Sequence, residues 1–274
     1  MPFVELPDQS LLVDHNNVAS RGVNLVLIHG AGGEKRTWPA TWRLAGDAQR
    51  SVGLAITASP GRLTNHSIYA VDLPGHGRSP GPPLTTIAAM ADCLEAFFEA
   101  TGLDHVIPVG HSMGGLISLE LARRKNSRMA AQVIVASSAR LAVTDQILDG
   151  LKSDFPATVD FIVKYSFDRG TAPFFPAKAR AYSLATGPEA AHADFAACAT
   201  ADYRTALEGM ALPTLVVASE GDRMVPVKQQ RALAEALPAG ELVIIDGAGH
   251  YPQLERTHSV QQAIARFADR IAAR

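Results

Sequence analysis

Three residues with the potential for chemistry stand among glycines, each just beyond an apolar run. Ser112 lies in Gly110-His111-Ser112-Met113-Gly114, a G-x-S-x-G pattern. Asp222 lies in Gly221-Asp222-Arg223-Met224-Val225-Pro226, and His250 in Gly247-Ala248-Gly249-His250-Tyr251-Pro252. A serine hydroxyl is a weak nucleophile at neutral pH and needs an adjacent base. Histidine suits that task because its pKa lies near neutrality. A carboxylate then has to hold the second ring nitrogen and stabilise the imidazolium. A carbonyl under attack becomes an oxyanion, which needs donors placed beforehand. His29-Gly30-Ala31-Gly32-Gly33, with three glycines in five residues, offers backbone N–H groups for that purpose. Taken alone, the serine motif suits a Gly-rich turn or a phosphate-binding loop equally well. The other three loops argue for nucleophilic catalysis.

The elements that must position these residues are legible as apolar runs. Asn24–Ile28, Ser67–Asp72, Val106–Val109, Ala131–Ala136, Pro213–Ala218 and Glu241–Asp246 read as buried strands. Residues 3–6 and 10–14, separated by Pro7-Asp8-Gln9, read as an N-terminal hairpin. Helices are expected over 85–101, where Ile87, Met90, Ala91, Leu94, Phe97 and Phe98 recur at helical spacing, and over 116–123, 227–237 and 253–273. Trp38 and Trp42, four apart, are placed on one helical face, packing into the core. Residues 46–66 read as an irregular surface stretch. Strands alternating with helices imply an α/β protein with a largely parallel sheet, whose ligands bind beyond the carboxyl ends of the strands. All four loops leave that edge, so they can converge. Asp72, opening a Gly/Pro turn, is expected to bond nearby backbone N–H groups. His76 and Arg78 are expected to stabilise the same loop. Asp246 is the weaker alternative to Asp222 as the acid.

The rhythm breaks between Arg140 and Gly209. This stretch has helical composition, is interrupted by Pro156, Pro173, Pro176 and Pro188, and holds six of the chain's ten phenylalanines. It reads as a helical insertion over the carboxyl edge of the sheet. Its aromatics can form its own small core or an apolar roof over a pocket.

Bulk properties narrow the function classes. The 274 residues are 47% hydrophobic with a formal net charge of −2, which suits a large folded domain and gives no footprint for nucleic acid or an anionic membrane. Cys93 and Cys198 sit in unrelated contexts, and no His/Cys/Asp cluster has ligand spacing, so no disulfide framework, metal or other cofactor is expected. Met1–Pro7 carries neither a basic nor a long apolar segment, so no signal peptide is expected. No transmembrane span is read either, and a cytoplasmic location is the default expectation.

The five motifs around residues 29–33, 72–79, 110–115, 221–226 and 249–250, in this order, resemble the α/β-hydrolase superfamily, in the branch with a helical cap inserted between two late strands. The resemblance runs from about residue 22 to the end. It implies an α/β-hydrolase core formed by residues 1–139 and 210–274, with about eight mostly parallel strands, and a cap over 140–209. It implies Ser112 as nucleophile, His250 as base and then acid, and Asp222 as the orienting acid. The N–H groups of Met113 and of Ala31 would form the oxyanion hole, with Gly32 in place of Ala31 if the loop is shifted by one. His29 and His111 would serve the loops rather than act as base. The implied activity is hydrolysis of carboxylic esters or lactones of small to medium apolar acyl groups, the partner being a small-molecule substrate. Cleavage of carbon–carbon bonds in dienoic ring-cleavage products is the alternative, although His111 and Tyr251 stand where such enzymes usually carry asparagine and tryptophan. A non-catalytic binder on the same fold is a third reading.

Overall fold

A computed structural model describes residues 3–16, 18, 19, 22–44, 63 and 66–274. Apart from Leu63 and His66, the stretch 46–66 lies outside the described residues. Eight strands form one sheet: β1 (Phe3–Glu5), β2 (Ser10–His15), β3 (Asn24–Ile28), β4 (Ser67–Val71), β5 (Val106–His111), β6 (Gln132–Val135), β7 (Thr214–Ser219) and β8 (Gly240–Ile245). Their spatial order is β1-β2-β4-β3-β5-β6-β7-β8. The expected N-terminal hairpin is present as β1 and β2, which pair antiparallel, and β2 joins β4 antiparallel. Every other neighbouring pair is parallel.

Connections from β3 run first to one side, to β4, and then to the other, to β5. The order therefore reverses at β3, and the crevice beyond the carboxyl ends of β3 and β5 is where such a sheet takes its ligand. The loop after β3 begins at His29 and the loop after β5 holds Ser112, so the topology alone puts these two side by side.

Strands buried on both faces need helices on both sides. On one face Val26 and Ile28 pack with α2 (Ile87–Ala100) and α3 (Met113–Arg123). On the other, Leu25, Leu27, Ile107 and Val109 pack with Val260, Ile264 and Phe267 of the C-terminal helix. The indoles of Trp38 and Trp42 join this second core, fully buried, with ring centroids 6.0 Å apart. They do not share a helix, contrary to the spacing argument. A 3-10 turn (Lys35–Thr37) ends before Trp38, and α1 (Ala40–Arg43) starts after Pro39. A residue preceding proline is pushed out of the α region, and Trp38 has the extended φ/ψ of −99°/144°.

Between β6 and β7 the chain forms four helices: α4 (Asp145–Ser153), α5 (Phe155–Ser166), α6 (Phe174–Thr186) and α7 (Pro188–Thr200). Asp154 caps α5 by accepting from Ala157 N–H, with Pro156 in the first turn, where a missing N–H costs nothing. After β7 comes α8 (Val227–Ala236). The single closing helix expected over 253–273 is two helices, α9 (Pro252–Glu255) and α10 (Thr257–Ala272), parted at Arg256. That break leaves Glu255 facing back to the loop before it. Among the described residues no helix is long and apolar enough to cross a membrane.

Candidate active site

Ser112 sits where β5 turns into α3, with φ 52° and ψ −114°. A non-glycine residue at positive φ is strained, and such strain gathers at functional sites. The turn closes because its neighbours lack side chains. A Cβ on Gly110 would lie 2.0 Å from the Gly114 carbonyl oxygen, and one on Gly114 would lie 2.5 Å from that of Ile28. The hydroxyl is thereby held at the tip of the turn, above the edge of the sheet.

His250 and Asp222 reach this hydroxyl in sequence. Ser112 Oγ–H donates to His250 Nε2 at 3.0 Å. His250 Nδ1–H donates to Asp222 Oδ2 at 2.9 Å, and because a carboxylate only accepts, Nδ1 must carry the ring proton. The other oxygen of Asp222 accepts from Met224 and Val225 N–H, both at 2.9 Å. Gln230, fully buried on α8, donates from Nε2 to Asp222 Oδ2 at 3.1 Å and to the Val225 carbonyl at 2.6 Å. The carboxylate direction is fixed by these donors. Asp246 is exposed at the end of β8 and takes no part.

The histidine loop is anchored in the same way. Its three successive N–H groups are all taken: Gly249 (2.9 Å) and Tyr251 (3.2 Å) by Glu255 Oε1, and His250 (2.6 Å) by the Ser166 carbonyl at the end of α5. The second oxygen of Glu255 accepts from Asp168 N–H at 2.9 Å and from the Thr171 hydroxyl. Arg223, next to the acid, donates to the carbonyls of Lys164 (2.6 Å) and Phe167 (2.9 Å), satisfying the open C-terminus of α5. The Phe167 ring stacks on Tyr251 at 4.9 Å. The loops of Asp222 and His250 are thus tied to the same short segment, 164–171. The roles of Glu255, Gln230 and Arg223 are not legible in the sequence. Each is an ordinary helix or loop polar residue whose role is set by a partner distant in space.

The loop after β3 forms a tight turn, with Gly33 N–H donating to the Gly30 carbonyl at 3.1 Å. His29 Nδ1–H donates to the same carbonyl at 2.9 Å, and His29 Nε2 accepts from Leu73 N–H at 3.2 Å. Burial, followed by the neighbouring His76, lowers the His29 pKa to about 4. Gly32 N–H donates to Asp194 Oδ2 at 2.8 Å. The N–H groups of Ala31 and Met113 make no hydrogen bond among the described residues. Asp72 accepts from Lys35 N–H (2.7 Å) and Arg78 N–H (3.3 Å), as its place in the turn suggests, and also pairs with Lys35 Nζ at 2.5 Å. That buried ion pair continues to Asp14 and Arg43.

Above Ser112 lies a cavity of about 60 Å³, bordered by Leu141, Val143, Ile147, Ile162, Phe195 and Met224 together with the three loops. No Asp, Glu, Lys or Arg among the described residues lines it. The phenylalanines of residues 140–209 differ in their surroundings: Phe195 borders the cavity and, like Phe155, packs against the cluster of Ile147, Leu151 and Ala191, Phe167 stacks on Tyr251, and Phe161 and Phe174 are exposed. Among the described residues no group of three His, Cys, Asp or Glu side chains could hold a metal.

An eight-stranded, mostly parallel sheet with a strained serine turn at its switch point defines a class, and comparison with known proteins gives its name. The chain belongs to the alpha/beta hydrolase family, whose model matches residues 25–269. Among curated proteins it is similar to a pimeloyl-[acyl-carrier protein] methyl ester esterase from Xanthomonas campestris pv. campestris, 31% identical over 92% of this chain and 98% of that protein. Among solved structures it shares the fold of a thermophilic esterase from Thermogutta terrifontis, 23% identical, covering 99% of this chain and 100% of that one, with a TM-score of 0.83. It shares it equally with an enol-lactonase from Burkholderia xenovorans LB400, 21% identical, covering 98% and 100%, at the same TM-score.

Proposed function

We propose that the protein is a serine hydrolase that cleaves carboxylic esters or lactones through an acyl-enzyme on Ser112. The observation that carries this reading is the unbroken relay from Ser112 Oγ through the His250 ring to Asp222, opening into an apolar cavity. His250 Nε2 takes the hydroxyl proton as Ser112 Oγ bonds to the carbonyl carbon. Asp222 holds the Nδ1 proton and stabilises the imidazolium. The carbonyl oxygen, now negative, is met by the N–H groups of Met113 and Ala31, each worth roughly 10²–10³ in rate. His250 then returns its proton to the departing alkoxide. Water repeats the sequence, with His250 as base, and frees the acid. Gly32 N–H is occupied by Asp194, which favours Ala31 over Gly32 as the second donor.

We read residues 140–209 as the cap that chooses the acyl group. A small cavity without charged side chains fits a short, uncharged, apolar acyl chain; drug-sized sites run to about 300–1,000 Å³. The kinship with a methyl ester esterase supports ester rather than carbon–carbon cleavage. The test is a panel of p-nitrophenyl esters of increasing acyl length, run beside a dienoic diketo acid. Short-chain esters should be hydrolysed by the wild type and left intact by folded Ser112→Ala. Ester hydrolysis by that variant, or turnover of the diketo acid alone, would overturn the assignment. Labelling of Ser112 by a fluorophosphonate without turnover of any ester would instead indicate a binder.

A further inference from the structure

Asp194 has a carboxylate in an unusual place. It lies on α7 in the run Ala190-Ala191-His192-Ala193-Asp194-Phe195-Ala196-Ala197, is fully buried, and points away from its own helix to two distant loops. Its Oδ2 accepts from Gly32 N–H at 2.8 Å and from His76 Nε2–H at 2.8 Å. His76 also donates from Nδ1 to the Pro74 carbonyl at 3.0 Å. With both ring nitrogens donating, His76 is an imidazolium. Burial opposes that charge, and Asp194 outweighs the opposition, so the His76 pKa is raised. Removing a carboxylate from water costs several kcal/mol unless it is paired. A leucine would fill the same volume without that cost, so packing alone does not account for the residue.

The hydrogen bonds around Ala31 suggest what it is for. Ala31 lies between two peptide planes. The Gly30–Ala31 plane is held by its carbonyl, which accepts from Gly33 N–H and His29 Nδ1–H. A trans peptide points its N–H opposite its carbonyl, so these bonds also aim Ala31 N–H. The Ala31–Gly32 plane is held at its N–H by Asp194. Gly32 itself has φ +63°, a left-handed conformation open to glycine without strain.

We propose that Asp194 is a positioning residue for the oxyanion donor: it fixes the second plane flanking Ala31, with His76 holding the carboxylate in place. The same helix sends Phe195 and Cys198 to the cavity, so the insertion that borders the acyl pocket also sets the oxyanion loop. This inference rests on the reading of Ser112 as nucleophile and of Ala31 N–H as oxyanion donor.

Three variants test it, with kcat and KM measured per folded protein and with inhibition by a trifluoromethyl ketone, which forms a tetrahedral adduct. Asp194→Asn keeps a side-chain oxygen that can accept from both Gly32 N–H and His76 Nε2–H, and should stay within about fivefold of wild-type kcat. Asp194→Ala keeps neither. It should lose about 10- to 100-fold in kcat with KM changed by less than about threefold, and bind the ketone correspondingly more weakly. Should Asp194→Ala fail to fold because His76 is left as a lone buried cation, the pair Asp194→Leu with His76→Phe removes both charges together and should show the same loss. A folded Ala or double variant with kcat within about threefold of wild type would overturn the inference. If folded Ser112→Ala still hydrolyses esters, the underlying reading has failed instead. An inactive Ser112→Ala beside a normal Asp194→Ala refutes the role of Asp194 alone.

Discussion

His111 Nε2–H donates to the main-chain carbonyl of His250 at 2.7 Å, so the residue before Ser112 grips the residue whose ring meets the Ser112 hydroxyl. The two rings lie 4.9 Å apart, and His111 also contacts Tyr251 at 4.7 Å. Its Nδ1 faces Gly30, where a Cβ would come within 2.9 Å. Burial, followed by the neighbouring His250, lowers the His111 pKa well below the ordinary value. The ring is therefore neutral, and its unprotonated Nδ1 needs no acceptor. His111→Leu should remove the grip while nearly preserving volume. A loss of about tenfold in kcat with little change in KM is expected, since a lost buried hydrogen bond is worth about 1–1.5 kcal/mol. Steady-state kinetics on p-nitrophenyl butyrate would measure it, and an unchanged kcat would show that the base loop holds itself.

Three buried histidines give the stability a defined pH dependence. Unfolded, His29 takes up its proton near pH 6.5; folded, only near pH 4. Between those values the unfolded chain binds more protons, so stability falls as pH drops, by about 3 kcal/mol at most for this residue. His111 is shifted the same way and adds to the loss. His76 has a raised pKa, so its contribution is full below pH 6.5 and disappears as pH rises through its folded value. Two downward shifts against one upward should make Tm fall from pH 7 to pH 5. Thermal melts across that range test the balance, and a flat or rising Tm on acidification would mean that the two buried neutral imidazoles do not dominate.

The acid end of the relay divides into two experiments. Asp222→Asn can keep the geometry but favours the wrong tautomer of His250, and by analogy with the serine protease triad kcat should fall by about 10⁴. Gln230→Leu leaves the charge in place and removes one of its donors, along with the bond to the Val225 carbonyl. A loss of about 5- to 20-fold is expected, as one hydrogen bond to a charged group contributes about 1.5–3 kcal/mol net to stability and is only partly felt in the transition state. Equal losses in the two variants would mean that Gln230 is needed to keep the loop folded rather than to steer the carboxylate.

The sheet and the convergence of its loops were legible because buried parallel strands are continuous apolar runs and the motifs follow them directly. Ser112, Asp222 and His250 are brought together as that pattern implied. What was not legible depends on packing between distant segments. Trp38 and Trp42 have helical spacing, yet Pro39 breaks the helix between them. Glu255 looks like one more polar residue of a closing helix until its partners at 249, 251 and 168 are known. Asp194 is one of two acids in an alanine-rich helix, and nothing in the sequence names His76 and Gly32 as its partners. The aromatics of residues 140–209 had two possible roles, and only the fold shows that Phe155 packs in the small helical core while Phe195 both packs there and borders the cavity.

Phe195 gives the most direct handle on selectivity. It borders the cavity on the same helix as Asp194, one residue further on, so its ring can be truncated without touching the relay. Phe195→Ala removes a large apolar wall from a cavity of about 60 Å³. The variant should lose packing stability, about 2–4 kcal/mol for a partly exposed aromatic near the low end of the usual range. It should also admit longer acyl chains. In a series of p-nitrophenyl esters, kcat/KM for hexanoate and octanoate should rise by about fivefold or more relative to acetate, since each accommodated methylene is worth about 0.8 kcal/mol of burial. The comparison must be a ratio within one variant, which cancels any loss of folded protein. A ratio equal to that of the wild type would mean that the acyl chain leaves the cavity by another wall, with Ile162 and Leu141 the next to truncate.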